Sequence, residues 1–334
     1  MKFSDNFTSD LMPEEFANML GLDNSDIVRM ADKRVLTADN ESEGGRRNLQ
    51  ATAVNWVTAG KVLPVKNQGY CGSCWSFAAT LAQETMQAIA DDAAPINLSE
   101  QEGVDCTTNT QANYDLFGEV YGTYGCQGGW MARYWNFSRD HGSMSAADYP
   151  YTAYDYRSGD SAQACAHNDA KVASRAGDSG QITGSIGDAV IKMQDGPLTF
   201  AVAAGNDCWR FYESGILTSA DGCPTSLDHA VVAVGVDSET ITVTTQGDSN
   251  TTCRKASRSE KRNKSCSGGA VYGGKKCCTT TTTEGATTTE TVNYWLIQNS
   301  WSDQWGENGF IKLAIEGGYG VSGSNQVMEW VTVQ

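Results

Sequence analysis

The stretch Gln68-Gly69-Tyr70-Cys71-Gly72-Ser73-Cys74-Trp75-Ser76-Phe77 constrains this chain more than any other. Behind it, Ala78, Leu81, Ala82, Met86 and Ile89 recur at three- and four-residue steps. That is the period of a helix with one buried face, and it predicts a helix beginning at or just before Cys74. Cys74 then stands at a helix N-terminus. Unpaired backbone N–H groups and the positive end of the dipole favour an anion there, and the thiolate is the anion that makes cysteine a nucleophile. The competing reading is one more buried or disulfide-bonded residue among eleven cysteines.

Cys71 to Trp75 matches C-G-[SA]-C-[WY], the pattern around the papain and cathepsin nucleophile, and on these residues the chain resembles the papain-like cysteine peptidases. A thiolate needs a base, and there are three histidines. His141 and His167 lie in short polar contexts that read as solvated loops. His229 stands in Leu227-Asp228-His229-Ala230-Val231-Val232-Ala233-Val234-Gly235, where the β-branched run predicts a buried strand with the histidine at its entrance. It follows Cys74 by about 155 residues, close to the roughly 130–150 of this nucleophile class. Gln298-Asn299-Ser300-Trp301 looks like the family's Asn segment. The resemblance then implies four roles: Cys74 as nucleophile, His229 as its base and later acid, Asn299 as the residue that orients the imidazole, and Gln68 as an oxyanion donor beside the Cys74 backbone N–H. Trp301 would shield the Asn299–His229 hydrogen bond from water.

The family's fold is α+β and two-lobed: a helical N-terminal lobe, a β-barrel-like C-terminal lobe, and the active site in the groove between them. The order of elements agrees, helices first and then strands at 196–203, 215–217, 229–236, 293–298 and 309–313. Ser99 and Glu102 form an S-x-x-E capping box and predict a second helix; the residues from Cys106 to Cys126 read as a long loop. Gly128 and Gly129 match the segment bordering the substrate cleft, where missing side chains let backbone approach an extended peptide. Trp130, Met131, Ala201, Leu227, Ala230 and Val327 match the family's pocket for the second residue N-terminal to the cut; Ala201 and Leu227 read equally well as ordinary core.

Residues 1–49 resemble the last part of an inhibitory propeptide plus linker. Asp10 to Leu20 predicts a short helix with Pro13 in its first turn and Phe16, Met19 and Leu20 on one face; a disordered leader is the alternative. The long upstream helices of such propeptides and any signal peptide are not visible, which suggests an N-terminally incomplete chain. Residues 40–50 are polar and Gly-containing, with Arg46-Arg47 a plausible processing site, and the peptidase domain spans 50–334. At 334 residues and a net charge of −16, the chain is a poor partner for nucleic acid, and no run is long enough for a membrane span. Eleven cysteines suit an oxidising secretory route, leading to a lysosome, a vacuole or the cell exterior, and the odd number leaves one thiol free. The chemistry calls for no cofactor and no metal.

The departure from the family is an insert at 237–291 between the His and Asn strands. It carries Cys253, Cys266, Cys277 and Cys278, a basic stretch, and a threonine tract that reads as a solvated or O-glycosylated stalk. Its four cysteines can close among themselves in three ways. Its positive charge suggests an acidic partner, and a merely solvated basic loop is the plainer alternative. By resemblance, Cys71 bonds Cys126 and Cys106 bonds Cys165. Ser322 stands where the third bridge needs a cysteine, which leaves Cys223 to Cys208. The implied partners are polypeptide substrates and the chain's own propeptide as inhibitor. A catalytically inactive homologue acting as a binding or storage protein is the alternative function.

Overall fold

The computed structural model describes residues 2–3, 6–22, 53–153, 163–182, 185–244, 249–263, 265–266, 269–272, 276–282 and 287–334. The expected linker and its Arg46-Arg47 site lie outside this set. Two compact units are distinguished, one of residues 1–238 with 293–334 and one of residues 239–292.

In the larger unit the first half is helical. The Cys74–Ala90 helix buries thirteen of its seventeen residues, so it is enclosed on more than the one face that its apolar spacing predicts. Its inward polar groups are satisfied from remote segments: Glu84 takes Lys66 Nζ at 2.7 Å and the Leu98 N–H at 2.7 Å, and Gln83 donates to Ser174 Oγ at 3.0 Å. Lys66 also reaches Glu100. Trp135, on the Met131–His141 helix, donates its indole N–H to Ala79 O at 3.0 Å. The Glu100–Cys106 helix comes close enough that a Cβ on Gly103 would collide with Ser76 Oγ and the Tyr134 ring. Only half of the expected capping box forms. Ser99 Oγ accepts the Glu102 N–H at 2.9 Å, but the Glu102 carboxylate turns away to His167 Nδ1 at 2.7 Å and the Met144 N–H at 2.8 Å.

Two further expectations are corrected here. The supposed loop after Cys106 contains the Gln111–Phe117 helix, started by Thr110 Oγ accepting from Asn113 N and ended by Gly118 in the left-handed region. His141 and His167 are not solvated loop residues. His141 closes the Met131–His141 helix, and both rings meet Phe117 and Phe137 at centroid distances between 4.5 and 6.0 Å.

The second half forms an eight-stranded sheet. Its principal order is 176–181, 328–333, 198–202, 229–244, 287–298, 310–314 and 216–217, and Val54–Asn55 pairs with the 229–244 strand. Antiparallel register sets Val202 opposite His229 and Ala201 opposite Ala230. His229 opens its strand and Asn299 follows the end of the neighbouring one, which is how residues 70 apart in sequence meet. Cys71–Cys126, Cys106–Cys165 and Cys208–Cys223 are disulfides, and Cys74 is the free cysteine among the described residues.

The smaller unit has an antiparallel four-stranded sheet, in the order 249–255, 276–282, 269–272 and 265–266, and the Arg258–Asn263 helix. Cys253 lies opposite Cys278 and is bonded to it; the side chains of Cys266 and Cys277 lie outside the described part. The threonines expected as a stalk are strand residues, Thr279–Thr282 pairing with Thr252–Ser249, because β-branched side chains suit a pleated ladder. This unit begins and ends on neighbouring strands of the large sheet. Replacing 239–292 by a short turn from Ser238 to Asn293 should therefore leave a cooperative thermal transition within about 5 °C of the parent, since shortening such a loop changes closure entropy little. Loss of the cooperative transition would show that the larger unit depends on the insert.

Candidate active site

Cys74 is the first residue of its helix and is fully buried. Burial pushes its thiol up to about 12 from an ordinary 9.0, outweighing the nearby backbone N–H groups of Ala230, Gly21 and Trp75, which favour a thiolate. His229 is equally enclosed. Its Nε2 lies 2.8 Å from Asn299 Oδ1, which also accepts the Ser300 N–H at 2.8 Å. That second donor identifies the Asn299 atom as oxygen, so His229 Nε2 must carry the proton and Nδ1 holds the lone pair. Nδ1 is buried with no hydrogen-bond partner among the described residues. Burial pushes His229 down to about 4 from 6.5, against the stabilising Asn299 bond. The Trp301 ring lies 4.7 Å from the imidazole and is itself buried, with Trp209 and Trp305 completing an aromatic layer.

Gln68 joins the two sides of the site. Its backbone N–H donates to Ser300 O at 2.9 Å, and its Oε1 accepts from Ser300 Oγ at 2.6 Å. With Oε1 so fixed, Nε2 becomes the donor that faces the cleft. Tyr151 Oη donates to Gln68 O at 2.9 Å and lies 2.8 Å from Ser73 Oγ, tying the Gln68 loop to the start of the Cys74 helix. Ser300, Ser73 and Tyr151 were not singled out from sequence. Nothing local in Tyr149-Pro150-Tyr151 shows where a phenol 83 residues from Gln68 will point.

The groove is filled by the chain's own N-terminal segment. The Pro13–Ala17 helix ends sooner than the apolar spacing predicts, and Met19 to Leu22 continue beyond it over the cysteine. Met19 O accepts Gln68 Nε2 at 2.8 Å. Gly21 crosses Gly72 so closely that a Cβ would collide with the Gly72 carbonyl. Leu22 bridges Gly129 in parallel, Gly21 O accepts the Gly129 N–H at 3.1 Å, and the Leu22 N–H donates to Asp228 O at 3.2 Å. Gly128 holds the turn by accepting the Tyr124 N–H at 2.8 Å. The Leu22 side chain belongs to one buried apolar cluster with Trp130, Met131, Ala201, Leu227, Ala230 and Val327. Phe16 meets Trp301 edge-on at 5.4 Å.

No group of three or more His, Cys, Asp or Glu side chains suited to a metal is found among the described residues. Nor is any described helix long and apolar enough to cross a membrane. What the arrangement can do is nucleophilic: a thiol at a helix N-terminus, an imidazole whose free nitrogen is its lone-pair side, and an amide N–H aimed where a carbonyl oxygen already sits.

Comparison with known proteins gives the family of the chain. Residues 50–328 match the family described as papain family cysteine protease. Digestive cysteine proteinase 3 of Homarus americanus is 30% identical over 265 residues, which cover 79% of this chain and 61% of that protein. Cathepsin L2 of Homo sapiens is 31% identical over 267 residues, covering 78% and 60%. The chain thus spans about three fifths of the length of these relatives. Among solved structures, digestive procathepsin L 3 of Tenebrio molitor larval midgut superposes with a TM-score of 0.64 at 24% identity, covering 99% of this chain and 82% of that one, a likeness of fold.

The lowered pKa of His229 generates a prediction. A group held neutral by burial stabilises the covered state above its free pKa, and that stabilisation is lost as pH falls from about 6.5 toward 4. Protection factors at residues 13–22, corrected for the intrinsic pH dependence of exchange, should fall through this window in the Cys74→Ala chain. Protection unchanged between pH 7 and pH 4 would mean that His229 does not couple the segment to pH.

Proposed function

Because the chain belongs to the papain family of cysteine proteases, we propose that it is the inactive precursor of a cysteine endopeptidase, held inactive by residues 6–22. The observation that carries this reading is the set of bonds around Cys74, His229, Asn299 and Gln68 together with the segment lying across them. Once the segment is displaced and water enters, the cost of charging both groups falls, and the Cys74 proton can pass to the lone pair at His229 Nδ1. The thiolate attacks the scissile carbonyl. The oxyanion takes N–H bonds from Gln68 Nε2 and the Cys74 backbone, and the imidazolium returns its proton to the leaving amine, giving an acyl-enzyme that water hydrolyses. Asn299 orients the ring throughout.

The segment's direction explains why it inhibits and is not cut. A substrate with its second residue in the apolar pocket places the carbonyl of the next residue at Gln68, so its order runs from pocket to donor. Residues 19–22 run the other way, with Met19 O at the donor and Leu22 in the pocket. No peptide bond then lies in line for attack. The same pocket supports a preference for an apolar residue two positions before the cut. Four disulfides suit the secretory pathway, with a lysosome, vacuole or extracellular space as destination.

An inactive binding homologue is the alternative, and one experiment separates the two. Cleaved within its 40–50 linker, the protein should react stoichiometrically at Cys74 with a peptidyl epoxide and hydrolyse peptides. Cys74→Ser should lower hydrolysis by at least about a thousandfold at unchanged thermal stability, because a serine hydroxyl lacks the acidity to form the ion pair. Turnover by Cys74→Ser within tenfold of the parent would overturn the assignment.

A further inference from the structure

Every hydrogen bond that the Arg210 side chain makes to the N-terminal segment goes to its backbone. Arg210 Nε donates to Thr8 O at 3.0 Å, and Nη2 donates to Ser9 O at 3.0 Å and to Leu11 O. Its guanidinium also lies 5.7 Å from the Phe16 ring. Arg210 ends the short Asp207–Arg210 helix, which the Cys208–Cys223 bridge and the Trp209–Trp305 stack at 5.7 Å keep in place. Among the described residues no carboxylate pairs with it, although Asp207 and Glu213 are near in sequence. Three neutral carbonyls are an unusual complement for a planar cation whose fork of donors matches a carboxylate.

Arg210's position relative to the chemistry follows from ring contacts. His229 meets Trp301 at 4.7 Å, Trp301 meets Phe16 at 5.4 Å, and Phe16 meets Arg210. Arg210 holds residues 8–11, which precede Phe16 on Trp301 and Met19 at Gln68, whereas Leu22 follows them, so the guanidinium lies toward the end of the segment opposite the pocket that takes Leu22. On the proteolytic reading above, a substrate enters that pocket with residues before the cut, so its leaving-group residues run over Trp301 toward Arg210. When the segment departs, it removes all three carbonyls at once and leaves the guanidinium without these acceptors.

We infer that Arg210 is a specificity-determining residue that selects a carboxylate on the leaving-group side of the substrate, either an acidic side chain or a free chain terminus. Residues 8–11 hold this subsite with neutral oxygens, so its full strength is withheld from the inhibitor and is available to the substrate. A charge-assisted bond in place of a neutral one corresponds to about a tenfold preference.

The test uses the full chain cleaved in its linker and three peptides identical up to the cut. Beyond it, one carries Glu with an amidated terminus, one Gln with an amidated terminus, and one Gln with a free terminus. Higher kcat/KM for the Glu peptide locates the carboxylate on a side chain, and higher kcat/KM for the free-terminus peptide locates it at the chain end. Either preference, about tenfold over the amidated Gln peptide, should fall to near unity in Arg210→Gln and be partly retained in Arg210→Lys. Equal rates for all three peptides in the parent, or a preference that survives Arg210→Gln, overturns the inference. Epoxide titration of Cys74 in the same samples keeps the two readings apart. Labelled enzyme with equal rates contradicts the subsite alone, whereas no labelling and no cleavage contradicts the protease reading and the subsite with it.

Discussion

A thiol and an imidazole that are both fully buried are more stable neutral than charged, and the rest of this site is arranged around that fact. Burial drives Cys74 up to about 12 and His229 down to about 4, so the pair that would react as thiolate and imidazolium is disfavoured in the covered state. The N–H groups of Ala230, Gly21 and Trp75 pull in the other direction. Two of these three belong to the enzyme body and remain when the segment leaves, whereas most of the enclosure above the cleft leaves with it. On the proposed reading, inhibition is thus a matter of solvation as well as of obstruction, since the residues that fill the groove also favour a protonated Cys74.

The scaffold supplies position. Neighbouring strands place His229 beside Asn299, and two bonds between Gln68 and Ser300 carry that placement across to the loop before the Cys74 helix. Tyr151 then fixes the loop to the helix start. The series of bonds that links the start of the Cys74 helix to His229 is therefore short, and none of its links comes from the 239–292 unit. That unit begins and ends between strands of one sheet and has its own sheet and its own Cys253–Cys278 bridge.

How much of this was legible in the sequence follows from how local each signal is. The Cys74 helix was, because apolar residues at helical spacing follow the nucleophile directly. Its burial on other faces was not, since nothing near Gln83 and Glu84 in sequence shows that Ser174 and Lys66 arrive from elsewhere in the chain. The His229 strand was legible from its β-branched run. The Gln111–Phe117 helix was missed although both its signals, Thr110 before and Gly118 after, stand in the sequence; seven residues give too few periods to see. The threonine tract misled because composition alone cannot distinguish a stalk from a ladder that finds a partner strand. His141 and His167 misled for the same reason, their polar neighbours in sequence giving no sign of Phe117 and Phe137 in space. Arg210, a lone charge among mixed residues, had no sequence signal at all.

The account stands or falls on whether the segment controls the ionisation of Cys74. The most direct measurement is the ultraviolet absorbance of the thiolate as a function of pH, taken on the intact chain and again after cleavage and removal of residues 1–49, with a Cys74→Ala sample subtracted from each. The account predicts no Cys74 thiolate in the intact chain at neutral pH, ionisation only in the alkaline range, and a thiolate already present at neutral pH once the segment is gone. Identical titrations before and after removal would contradict it, and would reduce the segment to a steric plug.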